Sequence, residues 1–170
     1  MSGSDNYPWH DEQWHRIMVA RGALRLPHAL LLTGQTGLGK ADFARRLARA
    51  LVCVDPNEGG DPCGTCGACR LVLAGTHPDL HVIQPEEPGR MIKIDAIRAL
   101  TAKSVLAAQD GGYRVFIIDP ADMMNRAAAN ALLKTLEEPA KRSILVLVSS
   151  HPDRLPATIR SRCQIVRFPV

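Results

Sequence analysis

The residues best equipped for chemistry fall in two short stretches, and the first is a phosphate-type loop. Gly34-Gln35-Thr36-Gly37-Leu38-Gly39-Lys40 fits the pattern G-x-x-x-x-G-K. It follows an apolar run and opens a helical one, which is the context such a loop requires. Gly34, Gly37 and Gly39 let backbone N–H groups wrap close to a phosphate, the helix N-terminus adds partial positive charge, and Lys40 neutralises phosphate oxygens. A glycine-rich turn that binds nothing is the bland alternative. The position after the lysine requires Ser or Thr, whose hydroxyl coordinates Mg²⁺. Here it is Ala41, and a methyl group holds no metal. Asp119, at the end of another apolar run, is the natural metal-site carboxylate, but Pro120 follows it where ATPases of this broad kind place a Glu that orients water. Asp122 either deputises for that base or caps a helix. Losing a metal ligand and the water-orienting group together predicts the loss of hydrolysis by several orders of magnitude. Binding of ATP or ADP through Lys40 and the loop backbone is left open.

The second stretch is Cys53, Cys63, Cys66 and Cys69, spaced C-x9-C-x2-C-x2-C. Thiolates two residues apart grip one tetrahedral Zn²⁺, and Gly64-Thr65 and Gly67-Ala68 supply the tight turns. Four thiolates fill the shell and leave no position for water, so the expected site is structural zinc. Free thiols, a redox pair and an iron–sulfur cluster are the alternatives. His77 and His81 lie nearby, but a complete cysteine shell leaves them as surface or packing residues. Cys163 stands apart and is expected to be buried packing.

Elements must position these groups. Asp11 to Arg21 reads as a helix ending near Gly22, and Ala29 to Thr33 as a buried strand. From Lys40 to Val52, Phe43, Leu47 and Leu51, with Ala44 and Ala48 beside them, form one helical stripe opposite Arg45, Arg46 and Arg49. Asp55 to Cys69 is a Gly-, Pro- and Cys-rich loop. A strand at Leu80 to Gln84 and a helix at Asp95 to Ala107 follow, with Gly111-Gly112 closing the connection. Tyr113 to Asp119 is a buried strand. Ala128, Leu132 and Leu136 mark a helix stopped by Pro139. Ile144 to Val148 is a strand, Ala157 to Arg160 a short helix and Gln164 to Phe168 a last strand. Strands apolar on both faces and alternating with helices predict a parallel sheet covered on both sides. Ligands in such folds sit beyond the carboxyl ends of the strands, where the loop after Thr33, Asp119 and Ser149 all fall.

The bulk numbers agree. At 170 residues, 46% hydrophobic and 22% charged, the chain suits one domain with a proper core. A net charge of +4 permits nucleic acid or acidic partners without demanding them. No apolar run is long enough to span a bilayer, and MSGSDNYPWHDE is no secretory signal. The expected location is cytoplasmic, with no membrane partner. In that compartment, clustered cysteines argue for metal over disulfides.

The combination resembles bacterial clamp-loader AAA+ subunits over nearly the whole chain. Tyr7-Pro8-Trp9, Pro27-His28-Ala29-Leu30-Leu31-Leu32, the four-cysteine insert and Gly75-Thr76-His77-Pro78-Asp79 carry the likeness. The most specific stretch is Asn130-Ala131-Leu132-Leu133-Lys134-Thr135-Leu136-Glu137-Glu138-Pro139, and Ser161-Arg162-Cys163 matches the family's trans-acting element. The resemblance implies an α/β P-loop NTPase fold (AAA+ / RecA-like), a three-layer sandwich with a parallel sheet and a zinc-binding insert. It implies one P-loop domain over residues 1–170 with the insert at 53–69. The helical lid and collar that family members carry next lie outside this sequence.

Motor subunits of that family, gamma and tau, keep the P-loop Thr and an Asp-Glu pair. Ala41 and Pro120 depart from them and resemble the non-motor, stator-type branch, although Lys40 and most of the glycine loop are retained. The resemblance also implies that Arg162 reaches across a subunit interface to ATP on a neighbouring motor subunit. A guanidinium supplied in trans is worth about 10³–10⁵ in rate. Local chemistry alone favours an arginine at a helix end contacting carbonyls; the motif in context favours the finger, with Arg160 as a surface residue and the nearest competitor. Ser149 or Ser150 matches the family's polar sensor. The Arg45, Arg46 and Arg49 face either touches DNA or an acidic partner or is solvated. The expected function is a stator that assembles with gamma/tau and delta subunits to load the sliding clamp of DNA polymerase III on primer-template DNA. The chain alone is not expected to be an enzyme. An active motor ATPase and a zinc-dependent nucleic-acid-binding module are the rivals.

Overall fold

The computed structural model describes residues 6–108 and 112–170, so Met1 to Asp5 of the N-terminal stretch and Gly111 of the Gly111-Gly112 connection lie outside the described residues. In chain order the elements are α1 (Asp11–Gly22), β1 (Ala29–Thr33), α2 (Lys40–Val52), α3 (Gly67–Leu73), β2 (Leu80–Ile83), α4 (Ile94–Ser104), β3 (Arg114–Ile118), α5 (Arg126–Glu137), β4 (Ser143–Ser149), α6 (Ala157–Arg160) and β5 (Gln164–Arg167).

The strands form one parallel sheet of order β2-β3-β4-β1-β5 among the described residues. Side chains alternate between faces along a strand, and here each face meets a helical layer. Leu30, Leu32, Val115, Ile117 and Val146 pack with Trp14, Ile17, Phe43, Leu47 and Leu51 from α1 and α2. Leu31, Phe116, Ile118, Leu145 and Leu147 face the other way, against Ile97, Leu100, Leu132, Leu136 and Ile159 from α4, α5 and α6. Two covered faces explain why β1, β3 and β4 read as unbroken apolar runs. Phe43 and Phe116, one in each core, are fully buried, and burying such a side chain is worth about 1.5–3 kcal/mol.

Three sequence expectations change. β2 and β5 are edge strands and partly exposed, so they are not apolar on both faces in the way the central strands are. The Cys-rich loop ends at Cys66, and Gly67-Ala68 is the first turn of α3; the Cys66 side chain accepts a hydrogen bond from the Cys69 N–H as its N-cap. The arginine face of α2 is also not uniformly solvated. Arg46 is buried because Trp14 and Asp61 cover it: its guanidinium lies 3.7 Å above the Trp14 ring and pairs with the Asp61 carboxylate.

Candidate functional site

The loop after β1 takes its shape from glycine and from an aromatic strap at the N-terminus. Gly39 has φ +73° and leaves no room for a Cβ, which would meet the Tyr7 ring at 2.6 Å; a larger residue would clash there and pay for a left-handed backbone. Gly34, φ +151°, would place a Cβ 2.7 Å from the Phe168 carbonyl. Tyr7 stacks on Trp9 with centroids 4.8 Å apart, and its hydroxyl donates to Asp42. The Leu38 carbonyl accepts from Trp9 Nε1 at 3.0 Å and lies 2.7 Å from His10 Nε2. A carbonyl only accepts, so the His10 proton sits on Nε2.

Lys40 opens α2 and is buried. Its ammonium donates to the Gly34 carbonyl at 2.7 Å, the Gln35 carbonyl at 2.6 Å and Ser150 Oγ at 3.0 Å. Burial lowers its pKa, against the opposing pull of Asp119 and Asp122. Asp119 follows β3, and its N–H donates to the Ile83 carbonyl. Burial pushes its carboxyl up, and Arg45 and Lys40 oppose that shift. Asp122 caps no helix by its side chain. It sits in the turn Ala121–Met123 and accepts from Ser149 Oγ at 2.5 Å. The two serines at the end of β4 thus divide: Ser150 faces Lys40 and Ser149 faces Asp122. The sequence offered both as one sensor position; only their burial and neighbours separate them.

The four insert cysteines converge, their sulfurs all within 4.8 Å of one another. Cys53 and Cys66 Sγ are 3.9 Å apart, as are Cys63 and Cys69. A tetrahedron of Zn–S bonds of about 2.3 Å has edges of about 3.8 Å, so the donor set fits a small tetrahedral metal. Backbone N–H groups point at the sulfurs as well: Thr65 and Cys66 at Cys63, Cys63 at Cys53, and Cys69 at Cys66. Such bonds favour thiolate over thiol. The Thr65 and Cys66 amides bring Cys63 down to about 6, whereas burial pushes Cys69 up to about 12. His77 and His81 stay outside the cluster: His77 Nδ1 accepts from the Asp79 N–H, and His81 stacks on Phe116. Cys163 is only partly buried, packed against the second core.

The insert is tied to the domain through contacts that sequence spacing did not announce. Arg46 makes a two-pronged pair with Asp61, Nε to Oδ1 at 2.6 Å and Nη2 to Oδ2 at 3.0 Å, and Trp14 Nε1 donates to the Gly59 carbonyl at 2.8 Å.

Arg162 follows α6 and lies on the surface. Its Nη1 donates to the Thr158 carbonyl at 2.9 Å, and Nη2 stands 3.0 Å from Glu137 Oε1, with side-chain exposures of 36% and 51%. Both stretches singled out in the sequence, around Glu137 and around Arg162, therefore meet. Arg160 is half-buried and not a plain surface residue, and its Nε is enclosed without a hydrogen-bond partner.

Among the described residues no helix is long and apolar enough to cross a membrane. A family model described as DNA polymerase III, delta subunit, matches residues 9–170. The DNA polymerase III delta-prime subunit of Pseudomonas aeruginosa is 45% identical over 160 residues, covering 94% of this chain and 48% of that protein. The delta-prime subunit of Escherichia coli is 40% identical over 159 residues, covering 94% and 47%. The chain thus spans about half the length of the curated relatives it matches. Among solved structures, a DNA polymerase III gamma subunit-related protein of Thermotoga maritima superposes with a TM-score of 0.68 at 23% identity, over 91% of this chain and 46% of that one. With the family model matching nearly the whole chain and relatives at 40–45% identity, the chain belongs to the DNA polymerase III delta-prime subunit family.

Proposed function

We propose that the chain is the non-motor, stator-type part of a clamp loader, acting by assembly with gamma/tau motor subunits and a delta subunit to place the sliding clamp on primer-template DNA. In this reading residues 1–170 form one P-loop domain, and residues 53–69 are an insert that holds a structural zinc through Cys53, Cys63, Cys66 and Cys69. Gly34, Gly37, Gly39 and Lys40 keep a phosphate cradle, and Asp119 is the vestige of a metal site. Ala41 offers no hydroxyl and Pro120 no base, so the chain itself does not hydrolyse ATP.

The observation that carries the reading is the setting of Arg162. Its guanidinium is partly exposed and held by one carbonyl and one surface carboxylate. An exposed pair of this kind contributes only about 0–1 kcal/mol, so a neighbour's phosphate can replace Glu137 at little cost. Arg162→Ala in a reconstituted loader should lower ATPase by about 10³-fold at the adjoining motor site and leave assembly intact. Arg162→Lys should not restore it, because an ammonium lacks the planar fork. Unchanged turnover would remove the finger from the account.

The retained Lys40 and glycine loop favour a second reading, a motor ATPase that tolerates Ala41 and Pro120. Steady ATP turnover by the chain alone, abolished by Lys40→Ala, would establish it.

A further inference from the structure

Between α2, α3 and β2 lies a cleft of about 470 Å³ that the phosphate loop and the arginine do not use. Its lining combines the apolar side chains of Val72, Leu73, Leu80 and Val82 with Arg45, Arg49 and His77. Leu73 is 72% exposed and Val82 41%, an unusual placement for apolar residues that share one concavity. No carboxylate lines the cleft. Arg45 has Asp42 at 3.8 Å, an exposed i,i+3 pair that an incoming carboxylate can displace.

One wall of the cleft is also a sheet edge. β2 ends the strand order. The carbonyls of Asp79 and Ile83 accept from Val115 and Asp119, so the parallel alternation turns the main-chain groups of Val82, between them, away from β3. The side chains of Leu80 and Val82 share the cleft, while His81 faces Phe116 on the other side. An open edge, exposed apolar side chains and arginines thus coincide.

We propose that this cleft docks an extended acidic–apolar segment of a partner protein, which adds a strand to the β2 edge. Its alternate apolar side chains settle against Leu73, Leu80 and Val82, and its carboxylates meet Arg45. Strand addition takes affinity from main-chain bonds and specificity from alternate side-chain pockets. Nucleic acid fits less well, because phosphates would engage Arg45 and leave the exposed apolar side chains facing sugar and solvent.

The test uses the full chain and a short labelled peptide alternating Leu or Val with Asp or Glu. Controls are the same residues rearranged to helical spacing, and single-stranded oligothymidylate. Fluorescence anisotropy should show saturable, salt-sensitive binding of the alternating peptide, and amide exchange should slow at Val82. Leu73→Asp and Val82→Asp should each weaken binding about tenfold, the equivalent of about 1.4 kcal/mol. Both positions are exposed, so the melting temperature should hold. Preference for the helical peptide or the oligonucleotide, binding indifferent to both variants, or no saturation would overturn the proposal.

Discussion

Ser150 Oγ stands 3.0 Å from Lys40 Nζ and, with the Gly34 and Gln35 carbonyls, encloses the ammonium in oxygen. The Lys40 ammonium is therefore already occupied by its own loop and by Ser150. Any nucleotide must compete with three hydrogen bonds before it gains one.

Removing one of those bonds should ease the competition. A hydrogen bond contributes about 0.5–1.5 kcal/mol net, so Ser150→Ala should tighten ATP binding about threefold to tenfold by calorimetric titration. Weakened binding would show instead that the hydroxyl contacts phosphate directly. Lys40→Ala should abolish the signal in either background.

Arg114 and Asp79 form a pair almost wholly withdrawn from solvent, 2.8 Å apart, with Arg114 also donating to the Lys103 and Ala107 carbonyls. Breaking one side of a buried pair strands the other charge, at a cost of about 3–5 kcal/mol. Asp79→Asn should lower the urea midpoint accordingly, whereas an exposed pair such as Arg16–Glu12 can be cut with little effect.

Leu24 closes α1 in a left-handed conformation, φ +57°, with its N–H bonded to the Arg21 carbonyl and that of Arg25 to the Ala20 carbonyl. Gly75 closes α3 in the same manner, φ +73°, its N–H bonded to Val72 and that of Thr76 to Leu71. The motif favours glycine at this position. Leu24 is 89% exposed and gives up little burial. Leu24→Gly should therefore stabilise the chain by up to about 1 kcal/mol, and Gly75→Ala should destabilise it by a similar amount. Thermal unfolding of both variants checks the pair.

His81 stacks on Phe116 with Nε2 buried and without a hydrogen-bond partner. Burial, then the charges of Lys103 and Arg114, holds its pKa below the usual 6.5. The unfolded chain therefore binds a proton at a higher pH than the folded chain does. Stability is full above pH 6.5 and falls as pH drops through the folded pKa. His81→Phe should flatten this acid limb in denaturant titrations run between pH 7.5 and 5.5, leaving the neutral value nearly unchanged.

Much of the fold was legible because burial on both faces leaves a plain mark. β1, α2 and α6 fall at the predicted residues, and β3 and β4 within one residue at each end. The weaker marks misled. α3 was hidden because Gly67 and Ala68 look like a turn, and its cap is a cysteine sulfur that no helix-start rule anticipates. α1 does stop at Gly22 as predicted, but the left-handed position beyond it falls to Leu24, which no residue type announced. The burial of Arg46 left no mark in the sequence because its partners, Asp61 and Trp14, stand 15 and 32 positions away. At the site, residue types disclosed the loop and the thiolates. The division of labour between Ser149 and Ser150 depended on long-range neighbours, Asp122 and Lys40.

The grip of Arg46 and Trp14 on Asp61 and Gly59 makes the cysteine insert a poor cassette. A segment that stood on its own could be excised, swapped or grafted with its metal chemistry intact. This one shares its anchoring with the first two helices, so a transplanted copy would lack the guanidinium and indole that orient it. Its deletion would leave a buried cation in the host. Trp14, stacked on that guanidinium, is also placed to act as a natural optical probe, its emission registering from inside the domain whether the loop outside it is in order.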